Sequence, residues 1–163
     1  MTQLVRYSKT VALGATLAFA FAATPALASG VTYSGTECNG GDNTFYLGQY
    51  SNNTGVIGDV VHCPIPLEVD LLHPTVGVVA TVRDQHGGTD IVCTLRAVTV
   101  LPGGAIVIDT RVDGTTGSSA NYVSVAPAAI PVSAVVTSVS LQCTVPPNDI
   151  DTSRILQYVV TRS

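Results

Sequence analysis

The stretch SVSLQCTV, residues 138–145, has the clearest alternation of apolar and polar residues in the chain. Every second residue in it is apolar, namely Val139, Leu141, Cys143 and Val145. Successive side chains of a β-strand point to opposite sides of the sheet, so this period of two predicts a strand with one buried face. No long window of residues 29–163 shows the helical period of ~3.6 residues. The sequence therefore predicts an all-β domain.

Similar patterns recur on both sides of this stretch. VGVVATV (76–82) and IVCTLRAV (91–98) alternate in the same way, and the glycines of LPGG (101–104) predict a hairpin, after which Ile106, Ile108 and Val112 resume the alternation. Further strands are predicted at 31–37, 44–50, 59–65, 121–126 and 154–161. About nine short strands, separated by glycine and proline, predict an antiparallel β-sandwich of the jelly-roll or Ig-like type.

The first 28 residues have the three parts of a secretory signal peptide. Arg6 and Lys9 are basic, Val11–Ala23 is apolar and uncharged, and Ala26-Leu27-Ala28 supplies the small residues that a signal peptidase reads. We expect cleavage before Ser29, which leaves residues 29–163 as a single β-sandwich domain. The expected location is secreted or periplasmic, with no membrane insertion after the signal is removed.

The charge of residues 29–163 limits the partners of the domain. The whole chain has a net charge of −4, but both basic residues of the leader are absent from the domain. The domain has no lysine and only five arginines against eleven acidic residues, a net charge of −6. Nucleic acid and anionic membranes require a basic surface, so neither is an expected partner.

The four cysteines predict two disulfides. Cys38, Cys63, Cys93 and Cys143 all lie in the exported part of the chain, where an even number of cysteines indicates disulfide bonds. A zinc site would show cysteines two to four residues apart, and no pair here is that close. Sequence alone permits three pairings.

The cysteines and their neighbours also carry a resemblance. The segments GTEC, HCPIP, VRD with IVCTL, and LQCTVPP with SRILQYVV resemble those of small, uncharacterised exported bacterial proteins with four cysteines and a β-sandwich architecture. The resemblance implies an all-β domain with two disulfides and carries no activity. Together with the predicted strands, it favours the pairs Cys38–Cys63 and Cys93–Cys143.

The most site-like cluster is VRDQHGGTDIVC, residues 82–93, in which Asp84, His86 and Asp90 surround two glycines. The cluster lies between two predicted strands, and Asp84 could cap its own turn while the glycines tolerate unusual backbone angles. A metal would need three or more converging ligands. We therefore interpret the segment as the turn of a β-hairpin and predict no metal, cofactor or catalytic residue there.

Other candidate ligands are isolated. Tyr46 and Tyr50 could form a small aromatic platform for a sugar or pack in the core. Glu68 and Asp70 would lie on one face of an extended segment, as two carboxylates of a glycosidase pair could. The ECNGGDN loop (37–43) lacks the register of an EF-hand loop and is interpreted as a glycine-rich turn. No spacing links His62 and His73 to a site.

The chain also lacks the G-x-S-x-G, H-E-x-x-H and G-x-G-x-x-G motifs. We predict a non-catalytic protein with a structural or interaction role and an unknown protein or polysaccharide partner. The first alternative is a carbohydrate-binding module, with Tyr46, Tyr50, Asp84, His86 and Asp90 as candidate ligands. The second is a secreted hydrolase without a linear motif.

Overall fold

The computed structural model of the chain is an all-β sandwich. It describes residues 29–41, 44–47, 50–53, 55, 57–66, 74–132, 136–148 and 151–163. The predicted signal peptide lies outside these residues. In the part of the chain that the structure describes, no helix has the length and hydropathy needed to cross a membrane.

Eleven strands and one 3-10 turn are found in the described residues. The strands are β1 (Ser29–Ser34), β2 (Thr44–Leu47), β3 (Tyr50–Asn53), β4 (Asp59–Ile65), β5 (Thr75–Arg83), β6 (Val92–Val100), β7 (Ile106–Gly114), β8 (Val123–Val125), β9 (Ile130–Pro131), β10 (Val136–Val145) and β11 (Arg154–Arg162), and the turn is Gly35–Glu37. Nine of the strands have four or more residues, which confirms the predicted number of main strands. The single strand predicted at 44–50 is wrong, because β2 and β3 are two paired strands there.

The strands form two antiparallel sheets. The first has the order β2-β3-β11-β5-β8, with β1 also paired to β11 and β9 to β5. The second has the order β4-β10-β6-β7. The predicted sandwich is confirmed.

The core lies between the sheets, where the alternating apolar residues predicted it. On β5 every second residue is buried, and on β10 Val139, Leu141, Cys143 and Val145 are buried. Burial of a large aliphatic side chain contributes about 1.5–3 kcal/mol, so this layer supplies much of the stabilising free energy. Tyr158 of β11 is also fully buried, its hydroxyl donates a hydrogen bond to the Pro64 carbonyl at 2.7 Å, and its ring stacks on Tyr33 with centroids 5.1 Å apart.

Both predicted disulfides are confirmed. Cys38 is bonded to Cys63 and Cys93 to Cys143, and all four residues are fully buried. Cys93 and Cys143 are opposite each other on the neighbouring strands β6 and β10. Cys38 follows the 3-10 turn after β1 of the first sheet, so its bond to β4 links the first part of the domain to the second sheet.

Two connections decide how the candidate residues are placed. The LPGG hairpin between β6 and β7 is confirmed, with positive φ angles of 98° at Gly103 and 84° at Gly104. The hairpin predicted between β5 and β6 is wrong, because these strands belong to different sheets. Residues 84–91 instead cross the end of the sandwich as an arch. A period of two identifies the buried face of each strand but does not indicate whether consecutive strands pair or face each other across the core.

Candidate functional site

Asp84, the first residue of the 84–91 arch, is fully buried. Its Oδ1 accepts hydrogen bonds from the His86 N–H at 3.0 Å and the Ser153 hydroxyl at 3.3 Å. Its Oδ2 accepts from the Ile91 N–H at 2.9 Å and from the Thr115 hydroxyl. Four donors thus surround the Asp84 carboxylate, which is shielded from water. Hydrogen bonds of this kind stabilise a buried charge. Asp84 caps its own turn, as predicted, but within the protein rather than in solvent.

The other polar residues of the arch bind the loop that follows β7. Asp90 Oδ1 accepts a hydrogen bond from the Gly117 N–H at 2.7 Å, and the Gln85 side chain donates to the Ser119 carbonyl. The Ser119 N–H in turn donates to the Asp84 carbonyl at 2.7 Å. The arch and the 115–119 loop therefore fix each other at one end of the sandwich.

His86 completes the turn from the solvent side. Its Nδ1 accepts hydrogen bonds from the N–H groups of Gly88 at 3.1 Å and Thr89 at 2.8 Å. Among the described residues, no group of three or more His, Cys, Asp or Glu residues could hold a metal ion. The hydrogen bonds of Asp84, His86 and Asp90 hold the arch and the 115–119 loop in shape.

The structure does not describe the side chains of Tyr46 and Tyr50. Their backbones lie on the β2–β3 hairpin, where Tyr46 pairs with Ser51 and Tyr50 with Leu47. Glu68, Asp70 and His73 lie outside the described residues, as do Asp42 and Asn43 of the ECNGGDN loop. His62 lies on β4, opposite Gln142 of β10.

A polar cluster that the sequence analysis missed lies on the outer face of the first sheet. Arg83 and Arg154 are opposite each other on β5 and β11, and the backbone of Asn52 on β3 is opposite Arg154. Both arginines contact Asp151, through Arg83 Nη2 at 3.3 Å and Arg154 Nη2 at 3.6 Å. We call Arg83, Asp151 and Arg154 the arginine cluster. The sequence gives little sign of it, because 71 residues separate the two arginines and only the strand order brings them together.

The arginine cluster keeps hydrogen-bonding capacity for a ligand. The Asp151 side chain is 43% exposed, so its oxygens can also accept hydrogen bonds from outside the protein. Among the described residues, Nε of Arg83 has no hydrogen-bond partner, but it is buried and a ligand cannot reach it, so the accessible groups of the cluster are the carboxylate and the outer guanidinium nitrogens. Guanidinium and carboxylate groups side by side offer both donors and acceptors to a polyhydroxylated molecule.

Comparisons with known proteins give a likeness of fold. No protein-family model and no curated protein matches the sequence. The chain is similar to a Clostridium thermocellum endo-1,4-beta-D-xylanase 10B structure with CBM22-1 and GH10 modules complexed with xylohexaose, with 10% identity and a TM-score of 0.53 over 80% of this chain and 27% of that one. It is also similar to the C-terminal family 22 carbohydrate-binding module of that enzyme, with 12% identity and a TM-score of 0.47 over 80% of this chain and 84% of the module. A xylan-binding domain from CBM22 matches at 13% identity and a TM-score of 0.46, over 85% of this chain and 89% of that domain. At 10% identity, the likeness with a TM-score of 0.53 establishes the sandwich fold alone.

Proposed function

We propose that this protein is an exported, non-catalytic module that binds polysaccharide. The observation that carries the proposal is the likeness of its two-sheet sandwich to the xylanase chain that contains a CBM22-1 module, at a TM-score of 0.53 over 80% of the chain. The two buried disulfides support an oxidising location such as the periplasm or the extracellular space. A polysaccharide ligand also agrees with a domain that is too acidic for nucleic acid.

The burial and the hydrogen bonds of Asp84 support the non-catalytic part of this proposal. It is the only buried carboxylate among the described residues, and its oxygens accept four hydrogen bonds. A general acid or base must be able to exchange a proton with a substrate, and a carboxylate held by four protein donors inside the fold has no substrate within reach.

Within this proposal, the arginine cluster is the binding site. Its three charged groups are partly exposed on the outer face of the first sheet, where an extended chain of sugar rings could lie across β11 and β5. Charge-assisted hydrogen bonds from guanidinium groups to sugar oxygens would be stronger than those from neutral donors. The candidate ligand-binding residues of the 84–91 arch, Asp84, His86 and Asp90, are instead hydrogen-bonded to other protein groups.

The test is a binding screen of the purified protein against xylan, cellulose, mixed-linkage glucan, chitin and peptidoglycan, by pull-down and then calorimetry. We expect retention by at least one of them and no release of reducing sugar. Arg83→Ala/Arg154→Ala should weaken binding at least about tenfold, because it removes charged hydrogen-bond donors. Arg96→Ala is the matched control, since Arg96 lies on the second sheet.

The outcomes separate the parts of the proposal. Failure of every polysaccharide to retain the protein contradicts the function, and release of reducing sugar contradicts its non-catalytic nature. Equal binding by Arg83→Ala/Arg154→Ala and wild type would place the ligand elsewhere on the domain. A second candidate function, a structural or interaction role without a sugar ligand, is favoured by the exposed aliphatic side chains of β7.

A further inference from the structure

β7, at the edge of the second sheet, exposes an unusual amount of aliphatic surface. Ile106 is 64% exposed, Ile108 47% and Val112 61%. The strand is paired to β6 over all nine of its residues without a bulge, and it contains no proline or lysine. Of the usual means by which an edge strand avoids pairing with another chain, β7 lacks a bulge, a proline and a lysine but has three charged residues, Asp109, Arg111 and Asp113. It is therefore a template for a further strand of complementary charge.

The alternation of hydrogen bonds shows which groups of β7 are directed away from β6. At the two ends of the ladder, Thr115 N–H donates to the Ile91 carbonyl at 2.9 Å and Leu101 N–H donates to the Ala105 carbonyl at 2.8 Å. Bonded pairs alternate along an antiparallel ladder, so the odd-numbered residues of β7 bond to β6. The backbone groups of the even-numbered residues therefore point outward, and Thr110 is the middle one.

We propose that β7 pairs with β7 of a second copy of this chain, antiparallel and about a two-fold axis through Thr110. This register matches the whole strand to itself, with Ile106 opposite Gly114 and Ile108 opposite Val112. All of these residues have outward N–H and C=O groups, so every pair can exchange both hydrogen bonds. The two second sheets then form one continuous sheet, a self-complementary interface of the kind expected for a symmetric dimer.

Charge fixes this register. In it, Asp109 of each copy lies opposite Arg111 of the other. Within one chain these two residues already form an ion pair with each other, and both side chains are more than a third exposed. An axis one residue earlier would place Asp109 opposite Asp109, and an axis one residue later would place Arg111 opposite Arg111. Like charges directly opposite destabilise a strand pair, so the axis through Thr110 is preferred over both neighbours.

The first test removes one outward N–H. Sedimentation equilibrium of the purified protein should show a monomer–dimer equilibrium, and Thr110→Pro should raise the dimer dissociation constant at least about tenfold. Because the Thr110 N–H does not bond to β6, proline there leaves the β6–β7 ladder intact, and the melting temperature checks this. Thr110→Val keeps the N–H and should dimerise as wild type does. A wild type that stays monomeric at all concentrations, or a dimer that Thr110→Pro does not weaken, would overturn the proposal.

The second test uses the charges and does not depend on proline. Asp109→Arg alone and Arg111→Asp alone each place two like-charged pairs in the dimer, and each should self-associate at least about tenfold more weakly than wild type. An equimolar mixture of these two variants restores an arginine opposite an aspartate at both places, so it should form heterodimers. A mixture that associates no better than either variant alone would show that this register is wrong.

Discussion

Asp84 shows why a polar residue in a loop is hard to interpret from sequence. Its neighbours, His86 and Asp90, suggested either a metal site or the turn of a β-hairpin, and the sequence pattern favoured the hairpin turn, which is wrong because the segment connects two different sheets. What it could not reveal is the burial of Asp84, because two of the four donors, Ser153 and Thr115, come from distant parts of the chain. Long-range contacts of this kind depend on strand order, which local patterns do not contain.

Replacement of Asp84 should therefore destabilise the domain strongly. Asp84→Ala leaves the His86 N–H and the Ser153 hydroxyl without their acceptor in a buried place, and we expect a loss of about 3 kcal/mol in the free energy of unfolding. Asp90→Ala is the matched control on the same arch, where one hydrogen bond at an exposed site is lost and about 1 kcal/mol or less is expected. Urea unfolding measures both, and equal losses would contradict the role assigned to Asp84.

Tyr158 gives a prediction for alkaline pH. Burial, then the charge of Glu37 and the neighbouring Tyr33, raise the pKa of Tyr158 from 10.0 to about 12. Because the folded state holds the proton more tightly than the unfolded state, the stabilisation is complete below pH 10.0 and is lost as the pH rises towards about 12. Urea unfolding of wild type should show this loss, and Tyr158→Phe should show less of it. An unchanged pH profile in Tyr158→Phe would contradict the assignment.

Among the strands, the sequence predicted faces better than neighbours. The alternation in β5, β6 and β10 identified their buried residues correctly, because a strand's two faces are set by its own residues. The same alternation gave the wrong partner for β5, since a hairpin and an arch between facing sheets place the same residues in the core. β7 was predicted from Ile106, Ile108 and Val112, yet their side chains are exposed because their register with β6 places them on the outer face of the second sheet.

The two disulfides should differ in their contribution to stability. They close loops with sequence separations of 50 for Cys93–Cys143 and 25 for Cys38–Cys63. On the chain-entropy model each bond contributes about 3–4 kcal/mol, and doubling the loop length adds about 0.6 kcal/mol. Since all four cysteines are equally buried, Cys93→Ala/Cys143→Ala should lower the melting temperature more than Cys38→Ala/Cys63→Ala. Calorimetry of the two double variants measures this, and the reverse order would contradict the entropic explanation.

For the whole molecule, composition and alternation were enough to predict the two sheets and the two disulfides of the structure, whereas the exclusion of nucleic acid as a partner stays a prediction. They did not predict the arginine cluster, which requires β5, β11 and β3 to be neighbours in this order. They also did not separate a structural role from sugar binding, since both are compatible with a sandwich of this size. The arginine cluster lies on the first sheet and the β7 edge on the second. A partner bound at one of these surfaces therefore leaves the other surface accessible.

The two proposals together predict avidity. A dimer joined through β7 carries two arginine clusters, so it can bind an insoluble polysaccharide at two points, whereas a short soluble oligosaccharide occupies one cluster at a time. If xylan is the ligand found in the screen, Thr110→Pro should bind xylohexaose as wild type does but be retained on insoluble xylan at least about tenfold less well. Thr110→Val, which keeps the outward N–H, should match wild type in both measurements. Equal retention of dimeric wild type and monomeric Thr110→Pro would show that the two clusters of the dimer do not bind one surface together, even where sugar binding and dimerisation have each been demonstrated.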